Sequence, residues 1–421
     1  MYKTTKLENG LTVVTKSMAQ RASVSVGVWV GVGSRFEPAP LNGVCHFIEH
    51  MLFKGTRRRT PRQISQAVEG IGGYLNAFTS EDHTCYYSKA RHDRFPELLN
   101  VLMDMLQNST FPVGEVRKER SVIKEEILMY LDQPHHHVQE VLNETLWPDH
   151  PLGRNIVGTE GTLDRMSRRH LVEFLQNNYH AGNTVVAAAG NLKHDVVVAE
   201  ASRYAKRFPK AAKPLAMPSV EVEQTEPWVR LVTKDTEQTQ VALGIRACSR
   251  HDERRHALRV LNAILGENMS SRLFQVIRED HGLVYNIYSS VSLFEDVGSL
   301  TISAGLDTEA LPKALKLIVQ ELKRLTEKAP TASELRHARE YLLGQIDLNL
   351  EGTENQMMAL GEQYLGYGDI SSPAGVKKKI GAITAAQVRQ AARDFLCPEN
   401  ICLALVSPLK NDKGLQDLLR F

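Results

Sequence analysis

The sequence is poor in the features that would take it out of the ordinary globular classes. Aromatic residues make up 6% of its 421 positions and charged residues 24%, with 51 basic side chains against 49 acidic and a net charge of +2. Such a balance gives no support for a nucleic-acid or polyanion partner, which needs a clustered basic surface. Two short basic runs, "TRRRT" (56–60) and "KKK" (377–379), are accounted for by solvated loops or helix faces. No window approaches the ~18 consecutive apolar residues of a membrane span. The opening stretch "MYKTTKLENGLTVVTK" lacks the apolar centre of a secretory signal and is too acidic and strand-like for a transit peptide. With "ENG" (8–10) as a turn, it reads as a first strand pair. Cysteine is scarce. Cys45, Cys85, Cys248, Cys397 and Cys402 form no CxxC pair, and their odd number leaves one over in any disulfide scheme, so a reducing compartment fits.

A chain of this length exceeds one comfortable core, and two domains of about 200 residues are expected. The clearest break is "FPKAAKPLAMPSVEVEQTEPW" (208–228), where four prolines deny helix and regular strand. It separates halves at 1–207 and 229–421. The halves repeat one another. "MSRRHLVEFLQNNYHAGNTVVAAAGN" (166–191) aligns without a gap on "ITAAQVRQAARDFLCPENICLALVSP" (383–408), each a helix, a turn and an apolar strand, with Ser167 and Thr384 as helix caps. "SVSVGVWVGVGSR" (23–35) and "TQVALGIRACSR" (239–250) are alternating strands closed by Ser-Arg. The expected fold class is therefore α+β, two copies of one domain of strands packed with helices.

One stretch departs from this repeat. "NGVCHFIEHMLFKGT" (42–56) carries His46, Glu49 and His50 where the second copy has "LNAIL" (261–265). Asn42 as N-cap, Gly55 as stop and the spacing of Val44, Phe47, Ile48, Met51 and Leu52 predict a helix. Residues four apart stack on one face, so His46 and His50 can offer two imidazoles to one ion, with Glu49 beside them. The same pattern also fits polar residues on a solvated helix face. A zinc site with two histidines wants a third ligand, usually a carboxylate. The helical segment 114–134 supplies candidates: Glu119 and Glu126 lie two turns apart on one face, while Glu125 points about 100° away toward solvent. The second copy has Gln345 opposite Glu126. The triplet His135, His136 and His137 follows "LDQP" at a loop or helix start and lacks a partnering carboxylate framework.

"HFIEH" followed by "ERSVIKEEI" (119–127) resembles the M16 metallopeptidases, the family of pitrilysin, insulysin and the mitochondrial processing peptidase. "VGVWVGVGSRFEP", "FKGT", "GGYLNAFTSEDHTCYY" (72–87) and "SSRLFQVIREDHGLVY" (270–285) extend the resemblance over nearly the whole chain. It implies two homologous domains of the M16/LuxS-like metallohydrolase type, a catalytic one at 1–207 and a degenerate one at 229–421 that contributes substrate-binding residues. It also implies one zinc ion per chain held by His46, His50 and Glu126, with Glu49 as general base and Glu119 orienting a ligating imidazole. The strand "YLNAFTS" would capture peptide at a sheet edge through Asn76, Ala77, Phe78 and Thr79; without the resemblance it reads equally as a core strand. Arg278 and Tyr285 would bind a substrate carbonyl and the developing oxyanion. Short M16 proteins pair, which implies a homodimer, with a heterodimer as the alternative, in which these two residues face the other protomer's zinc. "ILGENMSSRL" lacks the glycine run of the noncatalytic processing subunit. The expectation is a zinc endopeptidase acting on short or unfolded peptides in a closed dimer chamber. The alternatives are a presequence-processing subunit that needs a partner, and a noncatalytic scaffold subunit. No membrane span or nucleic-acid partner is expected. The expected compartment is a prokaryotic cytoplasm, or the mitochondrial matrix if a presequence has been removed.

Overall fold

The computed structural model describes residues 2–208 and 217–421, so residues 209–216 of the proline-rich linker expected at 208–228 lie outside the described residues. Its fold is mixed α+β, in two compact units, each built on one sheet. Unit 1 takes in residues 1–127, 154–218 and 348–372; unit 2 takes in 128–153, 219–347 and 373–421.

The sheet of unit 1 contains β1 (Tyr2–Lys6), β2 (Thr12–Ser17), β3 (Ser23–Val30), β4 (Tyr74–Thr79), β5 (Thr84–Arg91) and β6 (Thr184–Gly190), in the order β1-β2-β6-β3-β5-β4. Only the β2–β6 pair is parallel. Leu7 to Leu11 turn the first hairpin, with Gly10 at φ +99°, a conformation that disfavours any residue with a Cβ. Unit 2 contains β7 (Trp228–Thr233), β8 (Thr239–Ala247), β9 (Val284–Leu293), β10 (Gly298–Leu306) and β11 (Ile401–Ser407), in the order β7-β11-β8-β10-β9. There only β7–β11 is parallel. Apart from β1, the two sheets have one topology, and β4 and β9 occupy the same edge of it.

The helices run in a similar order in the two halves, eight in the first and six in the second among the described residues. The first set is α1 (Val44–Leu52), α2 (Pro61–Glu69), α3 (Phe95–Asn108), α4 (Val113–Asp132), α5 (Pro134–Leu146), α6 (Glu160–Arg165), α7 (Arg168–Asn178) and α8 (His194–Ala205). The second is α9 (Arg255–Leu265), α10 (Leu311–Glu327), α11 (Ala332–Asn349), α12 (Thr353–Tyr367), α13 (Pro373–Ala382) and α14 (Ala385–Phe395). Ser167 and Thr384 do cap α7 and α14, each in a reciprocal capping box with His170 and Gln387.

Each unit borrows one helix from the other half of the chain. In unit 2, Val138, Val141, Leu142 and Leu146 of α5 pack on Ala242, Cys402, Ala404 and Val406. In unit 1, α12 packs on β3 and β6, with Met357 and Leu360 against Trp29. The approach is close enough that a Cβ on Gly361 would lie 2.2 Å from the Trp29 indole, and Trp29 Nε1 donates to Met357 Sδ at 3.4 Å. Covered in this way, β3 and β6 read as near-continuous buried runs instead of alternating ones.

The basic run at 56–60 is no simple solvated loop. Arg59 donates to the buried carboxylate of Asp104 at 2.6 Å and to Asn100, and Thr56 donates to the same Asp104, tying the turn after α1 to α3. Lys377 to Lys379 lie on α13. The five cysteines are free thiols. Among the described residues, no helix is long and apolar enough to cross a membrane.

Candidate metal centre

α1 lies in the interior of unit 1, burying Val44, Cys45, His46, Phe47, Ile48, Met51 and Leu52. Its start differs from the expected Asn42 cap. The capping position is Gly43, at φ +92°, where a Cβ would lie 2.6 Å from the Val157 carbonyl. The Asn42 amide instead donates to Glu37 and to the Asn155 carbonyl. The acceptor for the helix N-terminus is the buried carboxylate of Glu37, which takes the Gly43 N–H at 2.7 Å and the Cys45 N–H at 2.8 Å. Burial pushes the Glu37 carboxyl up to about 7 in spite of these donors. The helix closes at Phe53, two residues before Gly55.

On this helix the His46 and His50 rings lie 4.6 Å apart. α4 brings Glu126 to them: its Oε2 is 3.7 Å from His46 Nε2 and 3.6 Å from His50 Nε2. Those gaps are long for direct hydrogen bonds. They are close to the ~3.4 Å edge of a tetrahedron with metal–ligand bonds of ~2.0–2.1 Å. One donor atom from each residue lies within 4.8 Å of the other two, and no other such group of metal-type side chains occurs among the described residues. The residues present fit a tetrahedral cation with one coordination position open.

The surroundings sort the remaining carboxylates. Glu119, two turns before Glu126 on α4, is buried; its Oε2 lies 3.1 Å from His50 Nδ1 and its Oε1 2.8 Å from Lys54 Nζ. His50 Nδ1 is thereby occupied and Nε2 is left facing Glu126, the arrangement that ligating imidazoles usually need. Lys54 was not singled out in the sequence; its signal is its place one turn beyond His50. His46 Nδ1 is buried with no hydrogen-bond partner, and burial, reinforced by the charge of His50, pushes its pKa down to about 3. A neutral imidazole is the form that ligates a metal. Glu125 is exposed, as its helical phase predicts.

Glu49 is held from the sheet. Thr79, the last residue of β4, donates its hydroxyl to Glu49 Oε2 at 2.5 Å. Burial raises the Glu49 pKa, opposed by the Thr79 hydrogen bond and the charge of His50, while the charge of Glu126 adds to the rise. β4 is an edge strand whose outer side has no partner strand in the sheet. Of its expected substrate contacts, Asn76 is exposed and its amide oxygen accepts from the Ala77 N–H. Phe78 stacks edge-on with Trp29 at 5.6 Å, so its ring serves the core.

Unit 2 carries Arg278 and Tyr285. Arg278 lies on a stretch of π-type turn (Phe274–Asp280), with its guanidinium 4.6 Å from the Phe274 ring and 5.6 Å from that of Tyr285. Tyr285 sits where β9 slips against β10: Gly305 pairs with Asn286 and Leu306 with Val284. The bulge leaves Tyr285 unpaired and 82% exposed. His135, His136 and His137 form the first turn of α5, with the His135 and His136 rings 4.4 Å apart.

Comparison with known proteins agrees with this geometry. Residues 12–160 match the family model described as insulinase (peptidase family M16), and residues 165–342 match the model described as the peptidase M16 inactive domain. The chain is 36% identical over 411 residues to the Bacillus subtilis protein named uncharacterized zinc protease YmxG, covering 98% of this chain and 99% of that one. It is 37% identical over 418 residues to an uncharacterized zinc protease of Mycobacterium bovis, covering 99% and 95%. The crystal structure of a protease from Helicobacter pylori shares the fold, with a TM-score of 0.90 at 22% identity over 97% of this chain and 99% of that one.

Proposed function

The chain belongs to peptidase family M16 and is a hydrolase of that metallopeptidase family; from that premise we propose that it is a zinc-dependent endopeptidase whose ion is held by His46, His50 and Glu126. The observation that carries this reading is the 3.6–3.7 Å spacing of the Glu126 oxygen from both imidazole Nε2 atoms, with His50 Nδ1 already taken by Glu119. Zinc, when bound there, supplies a Lewis acid that polarises a peptide carbonyl and acidifies water.

The side chains divide the remaining work. Glu49 takes the proton of the attacking water on its carboxylate and returns it to the leaving amine, and the raised affinity that burial gives it for a proton suits that task. The Thr79 hydroxyl fixes the carboxylate through Oε2. The unpaired edge of β4 binds substrate backbone as an added strand at Asn76, Ala77, Phe78 and Thr79, which accounts for broad action on short or unfolded peptides. Arg278 and Tyr285 bind the substrate carbonyl and the developing oxyanion. We assign the halves 1–207 and 229–421 as a catalytic and a degenerate copy of one domain, and the working form as a homodimer enclosing its substrate. The relatives named above are bacterial, and five free thiols suit a reducing cytoplasm.

Metal analysis paired with cleavage of unfolded peptides by the wild type and Glu49→Gln tests the assignment. One zinc per chain in both proteins, with hydrolysis lost only in the variant, is expected. Absence of stoichiometric zinc from the wild type at neutral pH overturns it. An active monomer on size exclusion removes the dimer while leaving the metal site standing.

A further inference from the structure

Unit 2 contains a cavity of about 360 Å³ at the end of its sheet, under the start of α5. Tyr285 and Tyr288 of β9 form an aromatic wall, and Gln139, Gln238, Gln240 and Ser303 line the rest. No aspartate, glutamate, lysine or arginine lines it, and besides the two phenols its only ionisable group is His135. Gln139 Nε2 donates to Ser303 Oγ at 3.1 Å. The side chains of Gln238 and Gln240 have no hydrogen-bond partner among the described residues, so each offers a free donor and a free acceptor. Gly305 keeps room for both: a Cβ there would lie 3.0 Å from Gln240 Nε2 and 3.2 Å from Gln238 Oε1. The bulge that throws Tyr285 outward is also at Gly305, so one irregularity in β9 and β10 both exposes the tyrosine and opens the space beside it.

We propose that this cavity is a specificity subsite for one uncharged, hydrogen-bonding side chain of the peptide substrate, glutamine or tyrosine filling it best. The proposal rests on the reading that Tyr285 meets the substrate. Amides that face water in the free protein reward a side chain whose own donor or acceptor replaces the displaced water, and lose those bonds to an apolar one. The absence of fixed charge gives nothing to compensate the desolvation of a lysine or an aspartate. The tyrosine rings supply flat apolar walls for an amide or phenol to lie against. The backbone-reading edge of β4 is indifferent to side chains, so discrimination has to come from a pocket of this kind.

A positional-scanning fluorogenic peptide library, cleaved by the zinc-loaded full-length protein, tests this. In the wild type, one substrate position should favour glutamine, asparagine, tyrosine and threonine over leucine, lysine and aspartate. Q238L/Q240L should lower that preference about tenfold in kcat/KM, the equivalent of about one lost hydrogen bond, with the profile at other positions intact. Q240E should shift the same position toward lysine and arginine, a gain that a misfolded protein cannot show. An unchanged profile in both variants, or a wild type without such a position, overturns the subsite. Tyr285→Phe separates the two readings: it should slow all peptides alike. If it slows none while Q240E still switches selectivity, the role of Tyr285 fails and the subsite stands.

Discussion

The two units share a sheet topology, a helix order and a pair of capping boxes, yet the place that groups His46, His50 and Glu126 in one copy is mostly apolar core in the other. "HFIEH" of α1 aligns with "LNAIL" of α9, so His46, Glu49 and His50 correspond to Leu261, Ile264 and Leu265, all buried apolar residues. Glu119 and Glu126 on α4 correspond to Ala338 and Gln345 on α11, and Ala338 is buried. At four of these five positions the second copy carries a buried apolar residue, and only Gln345, opposite Glu126, is polar. Unit 1 carries them against the cost of burial, visible in the depressed pKa of His46 and the raised one of Glu49. A polar cluster whose counterparts are largely apolar is not demanded by the shared frame, which fits the metal site proposed above.

The strongest test of that contrast writes unit 2's residue into unit 1. His46→Leu should abolish stoichiometric zinc and reduce hydrolysis to background, while the thermal midpoint of the metal-free protein holds or rises, because a buried imidazole with an unpartnered nitrogen gives way to an apolar side chain. A fall of many degrees in the metal-free midpoint would show that the imidazole supports the fold. Glu49→Gln ranks next: kcat should drop about 10²–10⁴-fold, the usual range for a general base, with zinc content unchanged by metal analysis.

The third effect concerns the carboxylate that starts α1. The folded pKa of Glu37 is raised from 4.5 to about 7 by burial, so the folded state holds its proton more tightly than the unfolded chain. Its contribution to stability is complete below about 4.5 and is lost as pH rises through about 7. Relative to Glu37→Gln, the wild type should lose on the order of 3 kcal/mol across that window. Urea unfolding of both proteins at pH 5 and pH 8 measures the difference, and a pH-independent gap would refute it. Glu119→Gln should then weaken zinc binding by about 10–100-fold, read by competition with a chelator. The matching change in unit 2, Ala338→Gln, should leave zinc affinity alone and cost about 1–3 kcal/mol of stability through overpacking.

What the sequence made legible is what local periodicity carries. The Ser167 and Thr384 caps and the i, i+4 and i, i+7 spacings on two helices each depend on neighbours a few residues apart. The grouping of His46, His50 and Glu126 follows from those spacings once the helices meet. The illegible parts depend on distant partners. Asn42 has the right chemistry for a cap, but Glu37 and the Asn155 carbonyl claim its amide and leave the capping to Glu37. Arg59 reads as a loop cation until Asp104 is brought beneath it. The borrowing of α5 by unit 2 and of α12 by unit 1 leaves no trace in the repeat. An apolar stripe such as Val138, Val141, Leu142 and Leu146 fits either sheet equally well, and the alignment compares copies without saying which sheet each helix covers.

The smallest prediction asks whether the shared frame is also energetically shared. Ser167 accepts the His170 N–H at the start of α7, and Thr384 accepts the Gln387 N–H at the start of α14, at matching places in the repeat. Both caps are exposed, so losing either costs the hydrogen bond without opening a cavity. Ser167→Ala and Thr384→Ala should each destabilise the protein by about 1 kcal/mol and agree within about 0.5 kcal/mol in denaturant midpoint, with zinc content untouched. The two helices lead into equivalent buried strands, β6 and β11, so their local environments are as alike as the two halves offer. A cost confined to one of them would mean that the copies have diverged in how firmly their frames are held, and that the proposed metal site of unit 1 differs from its counterpart in unit 2 in more than the identity of five side chains.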